Sequence, residues 1–273
     1  SFTIYDDKDS VELLRTIFTD QPRNELKVYA NMISRAKDEC LTPRDNLKEV
    51  SNDPRFPDYF EKYEEKIRRV GNVDFGDLIS LSVRLLKDHS EVRLRIRQRF
   101  QAILVDEYQD TNRAQDLLLE QLVGKENSLC VVGDDDQSIY KFRGARVENI
   151  LTFEKRFPQT RVVRLEENYR STGHILAVAS AVVDNNKDRL GKTLWTRKGE
   201  GEKPKVLFFS DQREEAQYVR DLLKDERYEE TAILYRTNAQ SKNFEDTFRK
   251  ANIPYRLVGN LSFYEREEGK DAL

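Results

Sequence analysis

After Gln101 the chain alternates short apolar runs with helical stretches, and this rhythm narrows the possible folds more than any other feature. The runs at 102–105, 129–132, 161–165, 206–209 and 232–235 have the length and the Val, Ile and Leu content of buried parallel strands. Between them, 114–122, 147–156, 171–183, 212–223 and 238–251 read as helices. Strands that alternate with helices build an α/β architecture around a parallel sheet. The stretch from Asp6 to Phe100 is different. It is charged and helical, with Val11, Leu14 and Phe18, then Leu78, Leu81 and Leu85, at spacings of three and four. Its turns fall at Thr42-Pro43, Asn52-Asp53-Pro54 and Val70-Gly71-Asn72, and Asp74 is placed to cap the following helix.

Composition limits the partners. The chain has 47 Lys and Arg against 50 Asp and Glu, a net charge of -3, so contacts to nucleic acid must come from local basic patches. Charged residues reach 36%, yet the separated apolar runs describe a folded protein. Cys40 and Cys130 show neither metal nor disulfide spacing, and Cys130, inside an apolar run, reads as a buried reduced thiol. No run approaches a membrane span and no signal sequence opens the chain, which reads as soluble and cytoplasmic. Ser1 stands where an initiator methionine is expected, so the sequence reads as a fragment. The loop 191–204, rich in Lys, Gly and Thr, is the clearest linker-like stretch.

Three segments carry chemistry. The apolar run 102–105 leads directly into Asp106 and Glu107. At the carboxyl end of a strand in an open α/β sheet, the first acid suits Mg²⁺ on nucleotide phosphates and the second suits an attacking water. Taken in isolation the pair reads more readily as an acidic loop after a core strand, since such pairs are common at strand exits. The run 129–132 ends in Gly133-Asp134-Asp135-Asp136-Gln137-Ser138, where Gln137 has a donor and an acceptor for a γ-phosphate and a water. Tyr140, Lys141, Phe142 and Arg143 follow, aromatic faces for bases alternating with cations for phosphates, or else core aromatics between solvated cations. The third segment, Glu167-Asn168-Tyr169-Arg170-Ser171, offers a mobile cation for a phosphoryl transition state and an aromatic for adenine, or simply a helix start at Ser171.

Taken in order, Asp106-Glu107-Tyr108-Gln109-Asp110, then Gly133 through Ala145, then Asn168-Tyr169-Arg170-Ser171, then 232–238 resemble the motifs of superfamily 1A DNA helicases of the UvrD/Rep/PcrA kind. Val73-Asp74-Phe75-Gly76-Asp77-Leu78-Ile79 and the stretch from Val258 to Asp271 extend the resemblance over roughly residues 72–273. It implies partial RecA-like P-loop NTPase motor domains with an all-helical 1B insertion: 1–95 as 1B, 96–165 as the later part of 1A, and 166–273 as the first part of 2A. It further implies Asp106 for Mg²⁺, Glu107 as catalytic base, Gln137 and Arg143 for γ-phosphate contact and coupling, Arg170 as arginine finger and Tyr169 beside adenine. Tyr140 and Phe142, the latter where relatives often carry Trp, would meet single-stranded DNA, with Arg236 and Asn238 along its track.

The implied activity is an ATP-dependent, 3′ to 5′ translocase that unwinds duplex junctions, with repair or replication proteins as further partners. A helicase subunit of a recombination nuclease shares these motifs and is the rival enzyme; a non-catalytic module binding DNA or protein is the rival of another class. The sequence departs from the family in lacking the Gly-x4-Gly-Lys-Ser/Thr loop before Asp106. Gly191-Lys192-Thr193 is no substitute, because Asn186 stands where the first Gly belongs and no apolar strand leads in. Asn260 and Gly269 also depart from the family pattern.

Overall fold

The computed structural model describes residues 2–187, 189–223 and 228–258, except for the side chain of Arg143. The segment from Gly259 to Asp271, with Asn260 and Gly269, therefore lies outside the described residues. The chain forms two compact units that divide between Gly201 and Glu202, inside the linker-like loop.

The first unit opens with a helical layer: β1 (Ile4–Tyr5), α1 (Asp7–Ile17), α2 (Arg23–Asp38), α3 (Phe56–Arg69), β2 (Val73–Asp74), α4 (Phe75–Asp88) and α5 (Ser90–Arg99). β1 and β2 pair in parallel, Ile4 opposite Val73 and Tyr5 opposite Asp74. Asp6 and Asp74 each close a capping box with the acid three residues on, so both helix starts satisfy their first N–H groups locally. Leu14, Leu26, Ile33, Phe56, Phe60 and Ile67 form the core beneath α1 to α3. The rings of Phe18, Tyr59 and Tyr29 extend it as a stack with successive centroids 3.8 Å apart.

α4 departs from its sequence pattern. Leu81 and Leu85 are exposed, while Asp77, Ser80, Val83 and Leu86 are buried. The reason is Lys37, almost wholly buried on α2, which places Asp77 inward as an ion-pair partner at 2.8 Å. Gly76 permits the approach, since a Cβ there would stand 2.8 Å from Lys37 Cβ.

The α/β part is built on β3 (Ala102–Val105) and β4 (Ser128–Val131), paired in parallel through the crossover helix α6 (Arg113–Leu122). Tyr108, Leu119 and Phe153 are buried against the pair, with Ile103, Val105, Leu129 and Val131 packed on them. Among the described residues the opposite face is uncovered: Leu104 is 79% exposed and Cys130 is exposed too, so the expected buried thiol is corrected. Period-two alternation puts Cys130 on the face that no described layer covers.

The runs 161–165, 206–209 and 232–235 are not strands. A strand needs a hydrogen-bonded neighbour, and among the described residues these runs have none; Leu165, Phe208 and Leu234 are exposed, the last two at 92% and 94%. Beside the first run only an isolated parallel bridge forms, between Glu167 and Trp195. The helix expected over 147–156 breaks at Thr152 into α7 (Glu148–Leu151) and α8 (Phe153–Arg156). α9 (Gly173–Val183) follows.

The second unit holds α10 (Gln212–Leu222) and α11 (Ser241–Lys250), which bury Ala216, Leu223 and Phe248. Asp211 caps α10 by accepting from Arg213 N and Glu214 N, and Asn243 Nδ2 donates to Gln212 Oε1 at 2.7 Å. No helix among the described residues is long and apolar enough to cross a membrane.

Candidate functional site

β3 ends at Val105, and the next two residues are Asp106 and Glu107, both exposed. Glu107 adopts a left-handed backbone, φ 50° and ψ 42°, which turns the chain from the strand into a 3₁₀ turn at Tyr108–Asp110. A non-glycine residue held there stores strain of about 1–3 kcal/mol, and such strain clusters where side chains do chemistry. Asp106 Oδ1 accepts from Glu107 N at 3.0 Å. The parallel ladder continues beyond the strands, Val132 N donating to Val105 O at 2.8 Å and Tyr108 N to Val132 O at 3.0 Å. Both strand exits are therefore held side by side.

Gln109, only 1% exposed, ties them together. Its Nε2 donates to Glu107 Oε2 at 2.7 Å, while its Oε1 accepts from Asp134 N at 2.9 Å. Only one orientation of the amide satisfies both, because the carboxylate needs an N–H and the backbone N–H needs an oxygen. Asp134 Oδ2 then accepts from Gln137 Nε2 at 2.6 Å. Asp106, Glu107 and Gln137 thus belong to one hydrogen-bonded constellation at the carboxyl ends of two parallel strands. Gly133 makes it possible, since a Cβ there would lie 2.6 Å from Gln109 Oε1.

A buried hydrogen-bond network braces the platform. Tyr108 OH donates to Asp116 Oδ1 at 2.6 Å, and Arg156 holds the same carboxylate and the phenol oxygen. Burial and the hydrogen bond to Asp116 push the Tyr108 phenol well above its usual pKa. Sequence reasoning missed Gln109, because nothing in the pattern distinguishes an inward amide from a solvated one.

It also missed what lies on the acidic triplet. Arg189 Nε and Nη2 reach Asp136 at 2.9 and 2.6 Å, Leu190 N donates to Asp135 Oδ2 at 2.8 Å, and Lys192 Nζ pairs with Asp134. Partial burial raises the Asp134 carboxyl, but hydrogen bonds from Lys192 and Gln137 outweigh it and the pKa falls below the ordinary value. Lys192, set aside as a phosphate-loop lysine, serves in this structure as a counter-ion.

The aromatic pair stands outside the core. Phe142 is 70% exposed and Tyr140 40%, their centroids 6.1 Å apart, which removes the reading of both as core residues. Lys141 and the backbone of Arg143 share the 3₁₀ turn that carries Phe142. Tyr169 and Arg170 are exposed in the turn before α9; Tyr169 OH donates to Glu167 Oε2 at 2.9 Å, and Arg170 O accepts from Lys198 Nζ at 3.1 Å. Neither has a hydrogen bond to the constellation around Glu107 among the described residues. Arg236 and Asn238 are exposed and lie in the second unit, Asn238 opening a 3₁₀ turn whose carbonyl accepts from Ser241 Oγ at 2.9 Å.

Comparison with known proteins agrees with the order of these elements. Residues 1–158 match the UvrD/REP helicase N-terminal domain, and residues 163–273 match the UvrD-like helicase C-terminal domain. A Staphylococcus epidermidis protein named ATP-dependent DNA helicase PcrA is 41% identical, and its Staphylococcus aureus counterpart 42%, over alignments covering 100% of this chain. The chain spans 39% of the length of those relatives. With its larger part matching the N-terminal helicase domain and the remainder the C-terminal one, the chain belongs to the UvrD/REP helicase family.

Proposed function

We propose that this chain supplies the hydrolytic centre and part of the DNA surface of an ATP-dependent helicase that translocates 3′ to 5′ along single-stranded DNA and opens duplex junctions. The observation that carries this reading is the joining of Glu107 and Gln137 through Gln109 and Asp134 at adjacent strand exits. The matched relatives, named ATP-dependent DNA helicases, support ATP as the substrate and DNA as the partner.

The donor set fits Mg-ATP at Asp106: a hard carboxylate oxygen at an exposed strand tip suits Mg²⁺. The triplet Asp134, Asp135 and Asp136 fits it less well, since Arg189 and Lys192 already neutralise two of its carboxylates. Bound at Asp106, Mg²⁺ would screen the charge of the phosphates. Glu107 takes the proton of the attacking water, and Gln137 spans that water and the γ-phosphate. Arg143 contacts the γ-phosphate and couples it to the DNA side. Arg170 places positive charge on the transition state, and Tyr169 stacks on adenine. Tyr140 and Phe142 grip bases, and Arg236 and Asn238 line the strand's track. The helical layer through residue 95 acts as the 1B insertion, 96–165 as the later part of domain 1A and 166–273 as the first part of domain 2A.

The test is Glu107→Gln in the full-length protein. The nearly isosteric amide keeps Mg-ATP binding and loses the base, so turnover falls more than about tenfold, a cost above roughly 1.4 kcal/mol. Turnover within tenfold of the unchanged protein overturns the assignment.

A further inference from the structure

We infer that Gln109 is a positioning residue for hydrolysis, a single buried amide that sets the carboxylate of Glu107 and the loop of Gln137 in one register. The inference rests on the reading of Glu107 as base and goes beyond it. The two strand exits carry different jobs, proton abstraction and γ-phosphate sensing, and both tips are exposed. An exposed carboxylate samples several rotamers, and a base must hold one. Gln109 supplies that constraint with Nε2 on Glu107 Oε2 at 2.7 Å. The other end of the same amide fixes Asp134 N at 2.9 Å, and Asp134 fixes Gln137 at 2.6 Å. Ser138 Oγ also donates to Gln109 O at 3.3 Å, so the residue holds the glutamine loop through backbone and side chain alike. A displacement of Gln137 is thereby transmitted to Glu107 through two intervening residues, Asp134 and Gln109.

Burial makes the amide costly to leave unpaired. A Gln at 1% exposure that lost either partner would leave a desolvated polar group, so the constellation favours the arrangement in which both strand exits are seated. Gly133 leaves Gln109 Oε1 the space it needs.

The test has two arms. In the chain itself, amide hydrogen exchange is followed at Asp134. The Asp134 N–H exchanges slowly in the unchanged protein, and Gln109→Leu, which keeps the volume and removes both bonds, speeds it roughly tenfold or more while the amides of β4 are unchanged. In the full-length protein, Gln109→Leu lowers kcat for DNA-stimulated ATP hydrolysis about tenfold or more while KM for ATP stays within about twofold, because the site is misaligned and its substrate contacts remain. Gln109→Met serves where the Leu variant does not fold.

An unprotected Asp134 amide in the unchanged protein overturns the bridge, whatever the variants do. A kcat within threefold of the unchanged protein, or a loss carried by KM alone, overturns the positioning role. Glu107→Gln, assayed alongside, separates the two levels: full turnover there would remove the base assignment, whereas lost turnover there with normal kcat in the Gln109 variants would remove only this inference.

Discussion

Lys37 Nζ lies 2.6 Å from Asp74 Oδ2, both inside the helical layer, and the same ammonium reaches Glu64 at 2.7 Å and Asp77 at 2.8 Å. One buried cation therefore serves three carboxylates, with Arg68 on the outer side of Glu64 and Tyr63 OH donating to Asp74. Burial opposes the charge on Lys37, and the three acids more than offset it, so its pKa is raised. Lys37→Met keeps the stem and removes the charge. The three acids are then left uncompensated, and the variant is expected to lose about 3–5 kcal/mol in urea unfolding at pH 8. The deficit shrinks at pH 5, because burial already raises the Asp77 carboxyl and, without Lys37, it can fold protonated.

Asp38 keeps its proton to higher pH than an ordinary surface acid. Burial first, then Glu39 and Asp74, push its carboxyl up to about 6, although Asn112 Nδ2 donates to it at 2.8 Å. The folded state thus holds a proton that the unfolded state has released. That contribution is complete below the unfolded value and is lost as pH rises to about 6. Asp38→Asn retains an acceptor for Asn112. Its advantage over the unchanged chain should grow between pH 4 and 6 and level off above, at about 1 kcal/mol once solvent screening is allowed for. Thermal unfolding across that range measures it, and equal stability at every pH contradicts it.

Phe142→Ala removes an exposed ring with no core to collapse. It should weaken single-stranded DNA binding by about 1–3 kcal/mol and leave ATP affinity unchanged. Fluorescence anisotropy with oligonucleotides of mixed sequence reads the loss, which should be similar for each. A variant that unfolds instead would return Phe142 to the core.

The 273-residue chain alone should release negligible phosphate from Mg-ATP, with or without oligonucleotide. It has no phosphate loop to offer backbone N–H groups and a lysine to the β- and γ-phosphates. Robust DNA-stimulated release, abolished by Glu107→Gln, contradicts this.

Local chemistry was legible without coordinates. Asp74 caps α4 as its spacing with Asp77 indicates, α6, α10 and α11 lie where periodicity puts them, and the acids at the end of β3 sit at a strand exit. These follow from interactions within a few residues, which a linear pattern records. The runs 161–165, 206–209 and 232–235 have strand composition without strand structure, because pairing is a property of two segments and composition belongs to one. The inward turn of Asp77 and Ser80 in place of Leu81 and Leu85 was decided by Lys37, a residue of another helix. The same holds at the site. Asp106, Glu107 and Gln137 could be named from their order along the chain, whereas Gln109 acquired its role only when two strand exits came within the reach of one amide.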